Sequence, residues 1–290
     1  MNIIDTLKQR FKYAGIVEKL IYVNLAVFFI VFILNTFGFL FQTKSNFFIE
    51  WFSLPANFSE FLFKPWSIIT YGFIHSGFIH ILFNLIALFF IGNLFNQYFT
   101  SKQLLNFYIF GTALGGFIFM ISYNFFPALR SNADRSILIG ASAGISAIFI
   151  GIATYMPNYE IRLPLVGFIK LWSLAAIWVA LDVIQIPAGN AGGRLAHIGG
   201  ALFGFIYVKY ASNKEIVIIN PFSEIFKKKE KKSNLKTVYK SGKKDANSTS
   251  ALKKTEIQKK IDLILDKISK SGYETLSKEE KDFLFKQGRK

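Results

Sequence analysis

One serine and two histidines open apolar segments of the chain and could together carry out nucleophilic catalysis. Ser142 lies in the small-residue run 139–146, and His197 follows 55 positions later. A serine hydroxyl is a weak nucleophile until a base removes its proton, so His197 is the candidate general base. His80 and Asn84 share one helix face at i and i+4, and they are candidate hydrogen-bond donors to the oxyanion of such a reaction.

The composition indicates that these residues belong to a membrane protein. Of the 290 residues, 52% are hydrophobic and 34 are phenylalanine, which is more apolar surface than a soluble domain normally tolerates. The chain has no cysteine, which excludes disulfides and thiolate metal sites, and we expect neither a metal nor a cofactor. We therefore expect a protein that spans the lipid bilayer several times.

Six apolar segments are predicted to cross the bilayer. They cover residues 21–41, 77–97, 104–126, 139–156, 168–186 and 195–211. A basic cytoplasmic arm, residues 1–20, precedes them, and residues 212–290 carry 21 Lys and Arg against 11 Asp and Glu. Positive charge marks the cytoplasmic side of a membrane protein, and an even number of spans then places both termini in the cytoplasm.

This topology brings the candidate residues to one depth. The second, fourth and sixth spans run inward, so their first residues, which include His80, Ser142 and His197, are neighbours in depth. From Ser142 the fourth span offers 15 residues, roughly 22 Å of helix against a hydrocarbon core of roughly 30 Å. We expect the serine to lie below the outer surface, in a pocket that water can enter, beside the free amides of a helix start.

Small residues are expected to let the fourth and sixth spans approach closely. Gly200 and Gly204 follow the histidine at i+3 and i+7, and Gly140 and Gly144 flank Ser142. Surfaces with a small residue at every fourth position allow membrane helices to pack at short distance. We predict that these four glycines support the helix packing that sets the distance between serine and histidine.

Two further polar residues are predicted to have structural roles. Asp182 is the only acidic residue near the sixth span. We interpret it as a hydrogen-bond acceptor that anchors a loop, which favours a catalytic dyad over a triad. His75 is expected near the membrane interface, where a structural role is the simpler interpretation.

Two other regions flank the candidate site. The aromatic segment 42–65 either lies in the membrane interface with its rings at headgroup depth or folds onto the bundle. Residues 212–254 are predicted to be a basic flexible linker, and residues 255–290 a small cytoplasmic helix-loop-helix with Ser277 and Glu280 as a capping box. We expect no binding of nucleic acid, because lysine beside a membrane usually marks the cytoplasmic side.

Four motifs follow one another in order along residues 15–211. They are Pro65-Trp66, His75-x4-His80-Ile81-Leu82-Phe83-Asn84, Gly140-Ala141-Ser142-Ala143-Gly144 and Ala196-His197-Ile198-Gly199-Gly200-x3-Gly204. This ordered set resembles the rhomboid family of intramembrane serine proteases. The resemblance implies an all-α membrane protein of a bacterial inner membrane, with a catalytic six-transmembrane-helix bundle over residues 21–211 and a short helical cytoplasmic tail.

The resemblance also implies a mechanism. Ser142 and His197 would form a catalytic dyad, and the serine amide would join His80 and Asn84 as oxyanion donors. The substrates implied are transmembrane proteins, cut within or beside a membrane-spanning segment in the lipid bilayer. No cofactor takes part in this chemistry.

Two positions depart from the family pattern. Ser67 follows Trp66 where many rhomboids carry arginine, and Ser146 stands where some carry an aromatic residue stacked on the catalytic histidine. His197 must therefore be oriented in another way.

Two other interpretations of the function stand beside the protease. The first is a proteolytically silent rhomboid-like scaffold that binds membrane clients. The second is a transporter or channel, which would require charged residues and broken helices at mid-membrane.

Overall fold

The computed structural model describes residues 2–42, 47–163, 167–211, 260–270 and 272–287. Within them the chain is mostly helical, and it divides into two units, Met1–Phe222 and Ser223–Lys290. The predicted linker, residues 212–254, lies outside the described residues.

Eleven helices of the first unit are described. They are α1 (Ile3–Tyr13), α2 (Ile16–Leu40), α3 (Phe47–Phe52), α4 (Phe58–Phe63), α5 (Ser67–Thr70), α6 (Phe78–Asn96), α7 (Ser101–Phe125), α8 (Pro127–Arg130), α9 (Ser142–Tyr155), α10 (Leu171–Ile184) and α11 (Ala191–Ile206). Two 3-10 turns, Tyr71–Phe73 and Ile186–Ala188, precede α6 and α11, and a π turn, Tyr207–Ala211, extends α11.

Three of the described helices, α2, α6 and α7, are long and apolar enough to cross a membrane. The other three predicted spans fall on shorter helices: α9 and α10 have 14 residues each and α11 has 16. At about 1.5 Å per residue, a 14-residue helix is about 21 Å long. The predicted segments therefore all contain helices, but only three of the helices have the length of a full span.

Helix starts lie earlier than predicted where a capping bond fixes them. Helix α2 begins at Ile16 rather than at residue 21, because the Gly15 amide donates to the Glu18 carboxylate at 2.9 Å. Helix α11 begins four residues before its predicted start, where Asn190 Oδ1 accepts the Gly193 amide at 3.3 Å. Such side-chain caps satisfy amides that the first helical turn leaves unpaired.

Two small sheets depart from the all-α prediction. Strands β1 (Leu54–Pro55) and β2 (Ile137–Leu138) pair antiparallel, and β3 (Glu160–Leu163) pairs with β4 (Gly167–Lys170) directly before α10. In the first sheet Leu54 lies opposite Leu138, and both side chains are buried. This pair holds the segment that leads into α9, so it helps to position the start of that helix.

Residues 47–65 of the aromatic segment contain two short helices, α3 and α4. The rings of Trp51 in α3 and Trp66 stack with centroids 6.0 Å apart, and Trp66 Nε1–H donates to the Trp51 carbonyl at 2.8 Å. The Thr70 hydroxyl donates to the Phe52 carbonyl at 2.8 Å. These bonds join α3 to α5, the short helix that packs against α7.

Close backbone contacts hold α7, α9 and α11 together. A side-chain carbon at Gly200 would overlap the carbonyl oxygen of Ala143, and one at Gly204 would overlap that of Ala147. A carbon at Gly115 in α7 would lie 2.6 Å from the Ala196 carbonyl oxygen. Glycine is therefore required at these positions for the helices to approach as they do.

Gly140 and Gly144, which flank Ser142, face different neighbours. A carbon at Gly144 would lie 2.7 Å from the Tyr108 carbonyl oxygen in α7, so Gly144 faces α7 and not α11. Gly140 precedes the helix and lies against the ring of His80. Gly140 and Gly144 therefore do not face α11, which contacts α9 at Ala143 and Ala147.

The second unit contains a helix-loop-helix. Helix α12 covers residues 260–270, a 3-10 turn follows at Tyr273–Thr275, and α13 covers Lys278–Gln287. The Glu280 amide donates to Ser277 Oγ at 3.2 Å and the Ser277 amide to Glu280 Oε2 at 2.8 Å, which is the predicted capping box. On α12 the buried residue is Ile264, whereas Leu265 is 52% exposed.

Candidate active site

The start of α9 presents a serine among unpaired backbone amides. Gly140 has a φ of +123°, a conformation that favours glycine, and its amide donates to the Tyr71 carbonyl at 3.0 Å. Ser142 is the first residue of α9, and the first bond along the helix is donated by the Ile145 amide to Ala141. The amides of Ser142 and its next neighbours thus precede the helical ladder and lie at the positive end of the helix dipole.

The serine hydroxyl contacts the imidazole of His197. The distance from Ser142 Oγ to His197 Nε2 is 2.6 Å, across two helices and 55 positions of sequence. His197 lies one helical turn before Gly200, which packs on Ala143, the residue after the serine. The close contact between α9 and α11 thus places the two side chains within hydrogen-bond distance.

The other imidazole nitrogen contacts an acidic residue, which corrects the prediction for Asp182. His197 Nδ1 lies 3.0 Å from Asp182 Oδ1 in α10, and Asp182 is 3% exposed. Arg194 donates to the same carboxylate oxygen at 3.0 Å and also bonds Gln185. Asp182 therefore does not anchor a loop. Its carboxylate contacts His197, and His197 in turn contacts Ser142, so the three side chains follow one another at hydrogen-bond distance.

His80 presents a hydrogen-bond donor towards the start of α9. The Ser76 amide donates to His80 Nδ1 at 3.4 Å, and Ser76 Oγ lies 3.0 Å from the same nitrogen. A nitrogen that accepts a bond carries no proton, so neutral His80 has its proton on Nε2. That Nε2 would lie 2.8 Å from a side-chain carbon at Gly140, two residues before Ser142.

Asn84 lies one turn further along α6 and is buried. Its Nδ2 donates to the His80 carbonyl at 2.9 Å, which uses one of the two protons on that nitrogen. The residue also lines the cleft that contains Ser142. The second Nδ2 proton is therefore the one with which Asn84 could contact a ligand in that cleft.

His75 is buried beside His80, in the segment between the Tyr71–Phe73 turn and α6. The two rings are 5.0 Å apart and lie edge to face. Burial, with a smaller effect of the nearby His80, lowers the pKa of His75 to about 4. His75 is therefore neutral at neutral pH and supports the ring of His80 by contact.

Three contributors to the site were missed by sequence reasoning. Ser76 fixes the tautomer of His80, Arg194 pairs with Asp182, and Trp178 Nε1–H donates to Ser146 Oγ at 3.2 Å. The spacings could have suggested two of them: Arg194 precedes the histidine by three residues, and Trp178 precedes the aspartate by four. Both spacings place a pair on one face of a helix.

A cleft of about 910 Å³ gives access to these residues. Its walls come from α6, α10 and the start of α11, and Ser142 and Ile145 of α9 lie among the lining residues. The cleft is therefore bounded by hydrogen-bond donors from α6 on one side and by Asp182 and Trp178 of α10 on the other. Its volume lies within the range of clefts that bind ligands in proteins, about 300–1,000 Å³.

Comparison with known proteins identifies the class of fold and site. A profile of the Rhomboid domain family matches residues 62–214, slightly more than half of the chain. The chain belongs to the rhomboid family. A family of unknown function (DUF6576) matches residues 251–287, the part of the chain that contains the helix-loop-helix.

Individual relatives are distant. The chain is 24% identical over 168 residues to Rhomboid protease GlpG of Yersinia pseudotuberculosis, which is 54% of this chain and 52% of that protein. It is 28% identical over 145 residues to mitochondrial RHOMBOID-like protein 12 of Arabidopsis thaliana, or 47% of this chain and 43% of that protein. The chain thus spans about half the length of the curated relatives it matches. Family membership and the apolar helices make it a membrane-embedded protein.

Proposed function

We propose that this chain is an intramembrane serine endopeptidase in which Ser142 is the nucleophile and His197 the general base. The observation that carries the proposal is the 2.6 Å distance from Ser142 Oγ to His197 Nε2, at a helix start that lines a cleft. A nucleophile within hydrogen-bond distance of its base is the geometry that activates a serine. The similarity to a relative named as a rhomboid protease supports the same chemistry.

In the proposed reaction His197 Nε2 takes the proton of Ser142 as the hydroxyl oxygen attacks the scissile carbonyl carbon. The carbonyl electron pair moves to oxygen, and the oxyanion accepts bonds from His80 Nε2–H, the Asn84 amide and the first-turn amides of α9. Collapse breaks the C–N bond, and His197 returns the proton to the leaving amine. Water then attacks the acyl-serine by the same steps, which frees a carboxylate and regenerates the hydroxyl.

The proposal extends to topology and substrate. Helices α2, α6, α7, α9, α10 and α11 would be the six spans. Positive charge marks the cytoplasmic side, so the basic residues 1–20 and 212–290 support a topology with both termini in the cytoplasm of a bacterial cell and the bundle in its inner membrane. The substrates would be transmembrane proteins, because the cleft opens between helices whose outer faces are apolar. Exposed apolar side chains on these faces include Phe83 and Phe90 of α6 and Ile177 and Ile184 of α10.

A fluorophosphonate probe tests the proposed nucleophile. Purified full-length protein in detergent should react covalently, and Ser142→Ala should abolish both the reaction and cleavage of a transmembrane reporter substrate. Ser146→Ala is the matched control, because it removes a buried serine from the same helix one turn further on and should keep most of the labelling. Folded wild-type protein that reacts no faster than Ser142→Ala would contradict the proposal and favour the proteolytically silent scaffold.

Single cysteines test the proposed topology, since the chain has none of its own. Asn132→Cys should react with a membrane-impermeant maleimide added outside the cell, and Ser250→Cys should react only after the inner side is exposed. Reaction of both cysteines from the same side would contradict the three proposed spans, α9, α10 and α11, that lie between them.

A further inference from the structure

The histidine of the site needs a partner that fixes its orientation. A histidine serves as a base only if the nitrogen facing the serine carries no proton, so the other nitrogen must carry it. His197 directs Nε2 at Ser142 Oγ and Nδ1 at Asp182 Oδ1, at 2.6 and 3.0 Å. A carboxylate only accepts hydrogen bonds, and its contact with Nδ1 therefore selects the tautomer with a free Nε2.

Asp182 is itself held in place from α11. Arg194 Nη1 donates to Asp182 Oδ1 at 3.0 Å, and its second terminal nitrogen bonds Gln185. A buried carboxylate is costly unless a cation or hydrogen bonds compensate its charge. Arg194 lies three residues before His197, so one face of α11 presents to the aspartate both the compensating cation and the base.

Asp182 lies on a face of α10 that also contacts α9. Where some rhomboids carry an aromatic residue on the catalytic histidine, this chain has Ser146, whose hydroxyl accepts a bond from Trp178 at 3.2 Å. Trp178 precedes Asp182 by one helical turn on α10. The face of α10 that contacts Ser146 is thus the face that carries the carboxylate.

We propose that Asp182, paired with Arg194, is the positioning residue of this site: it accepts the Nδ1 proton of His197 and keeps Nε2 free for the serine. Its catalytic consequence rests on the proposed function, but the tautomer of the histidine does not. The competing interpretation is that Asp182 and Arg194 form an ion pair that only joins α10 to α11.

Nitrogen NMR of the imidazoles tests the proposal directly. The chain has only three histidines, so selective ¹⁵N-histidine labelling of the full-length protein in nanodiscs gives three rings to assign, with His197→Asn identifying the signal. At about pH 8.5, where ordinary imidazoles are neutral, wild-type His197 should carry its proton on Nδ1. A wild-type ring protonated on Nε2 would overturn the proposal without the use of any aspartate variant.

Two substitutions of the aspartate extend the test. Asp182→Asn should move the proton to Nε2, because the amide can donate to Nδ1, whereas Asp182→Glu should keep it on Nδ1. In a serine protease the corresponding change to asparagine lowers kcat about 10⁴-fold. We expect a loss on the order of 100- to 10,000-fold in kcat and in fluorophosphonate labelling for Asp182→Asn, with little change in KM, and partial recovery for Asp182→Glu.

The experiments distinguish the positioning role of Asp182 from an ion pair that only joins α10 to α11. They also distinguish failure of the positioning role from failure of the proposed protease function. If folded Asp182→Asn keeps the wild-type tautomer, or labels at the wild-type rate, Asp182 only joins the helices and the positioning role is wrong. If wild-type protein is inert to the probe, the proposed protease function fails while the tautomer of wild-type His197 still decides the positioning role. Rates are compared per folded molecule, so a loss of stability does not imitate a loss of positioning.

Discussion

The helix that carries Ser142 and the two helices that flank the cleft are buried to very different extents. Helix α9, which carries Ser142, is buried at nearly every residue and is contacted by glycines of α7 and α11. Helix α10 has the same length and similar composition, yet its buried residues are only Leu171 and Asp182. Helix α6 buries a single stripe, in which Asn84 is the polar member.

This difference separates two ways of holding a reactive group. Ser142 and His197 are positioned by backbone-to-backbone contacts between α9 and α11, and close-packed protein interiors leave little space for adjustment. The polar groups of the flanks, Asp182 and Asn84, are held by hydrogen bonds from helices that otherwise present apolar side chains outward. Substitutions in the packed region should therefore act as all-or-none changes, and substitutions in the flanks as graded ones.

The largest effect is expected from Gly200→Val. The new side chain would overlap the Ala143 carbonyl, next to the serine, and a displacement of about 1 Å can cost on the order of 100-fold in rate. We expect labelling and cleavage to fall at least on the order of 100-fold per folded molecule. Ala180→Val on the exposed face of α10 is the matched control and should be silent. Near-wild-type labelling of folded Gly200→Val would remove the distinction between the two regions.

Asn84→Ala should have a smaller effect than Gly200→Val or Asp182→Asn. Loss of one oxyanion donor has cost roughly 100- to 1,000-fold in kcat where it was measured. Because His80 and the amides of α9 remain, we expect a fall of about 10- to 100-fold in kcat with KM little changed. Asn96→Ala, at the far end of the same helix, controls for the general loss of an asparagine. An unchanged kcat on a substrate whose cleavage chemistry is rate-limiting would rule out Asn84 as a donor.

Trp178→Phe tests the hydrogen bond between the flank and the packed core. It removes the 3.2 Å bond to Ser146 but keeps an aromatic ring against Phe149, whose centroid is 5.4 Å away. We expect a loss of about 1 kcal/mol in the free energy of unfolding and at most a few-fold change in labelling rate. Ser146→Ala should cost a similar amount, and the double variant less than the sum of the two. Full additivity would mean that the two side chains are not coupled.

Some features of this molecule could be predicted from its sequence, whereas others depend on tertiary contacts. Apolar segments and their order depend on composition, so every predicted span contains a helix, and the pairing of Ser142 with His197 followed from residue type and position. The contact of Asp182 with His197 could not be predicted, because the rotation of α10 about its axis is set by tertiary contacts and not by its mostly apolar sequence. The direction of Gly144 was missed for the same reason: a helix with small residues on several faces does not specify which neighbour each face contacts.

The smallest effect is expected in the helix-loop-helix of the second unit, where the charged contacts are exposed. Bonds from the Ser277 amide and then from Lys267 lower the pKa of Glu280 from its ordinary 4.5. A carboxylate whose pKa is lowered by folding stabilises the folded form above its ordinary pKa, and that contribution is lost as the pH falls through the lower value. Hydrogen-exchange protection of residues 278–287 in the full-length protein should therefore decrease as the pH falls below about 4.5. Glu280→Gln should lower protection at neutral pH and remove this dependence, whereas Glu279→Gln should retain it. Labelling of Ser142 should be unaffected by either change; a pH dependence that survives in Glu280→Gln would assign it to another group.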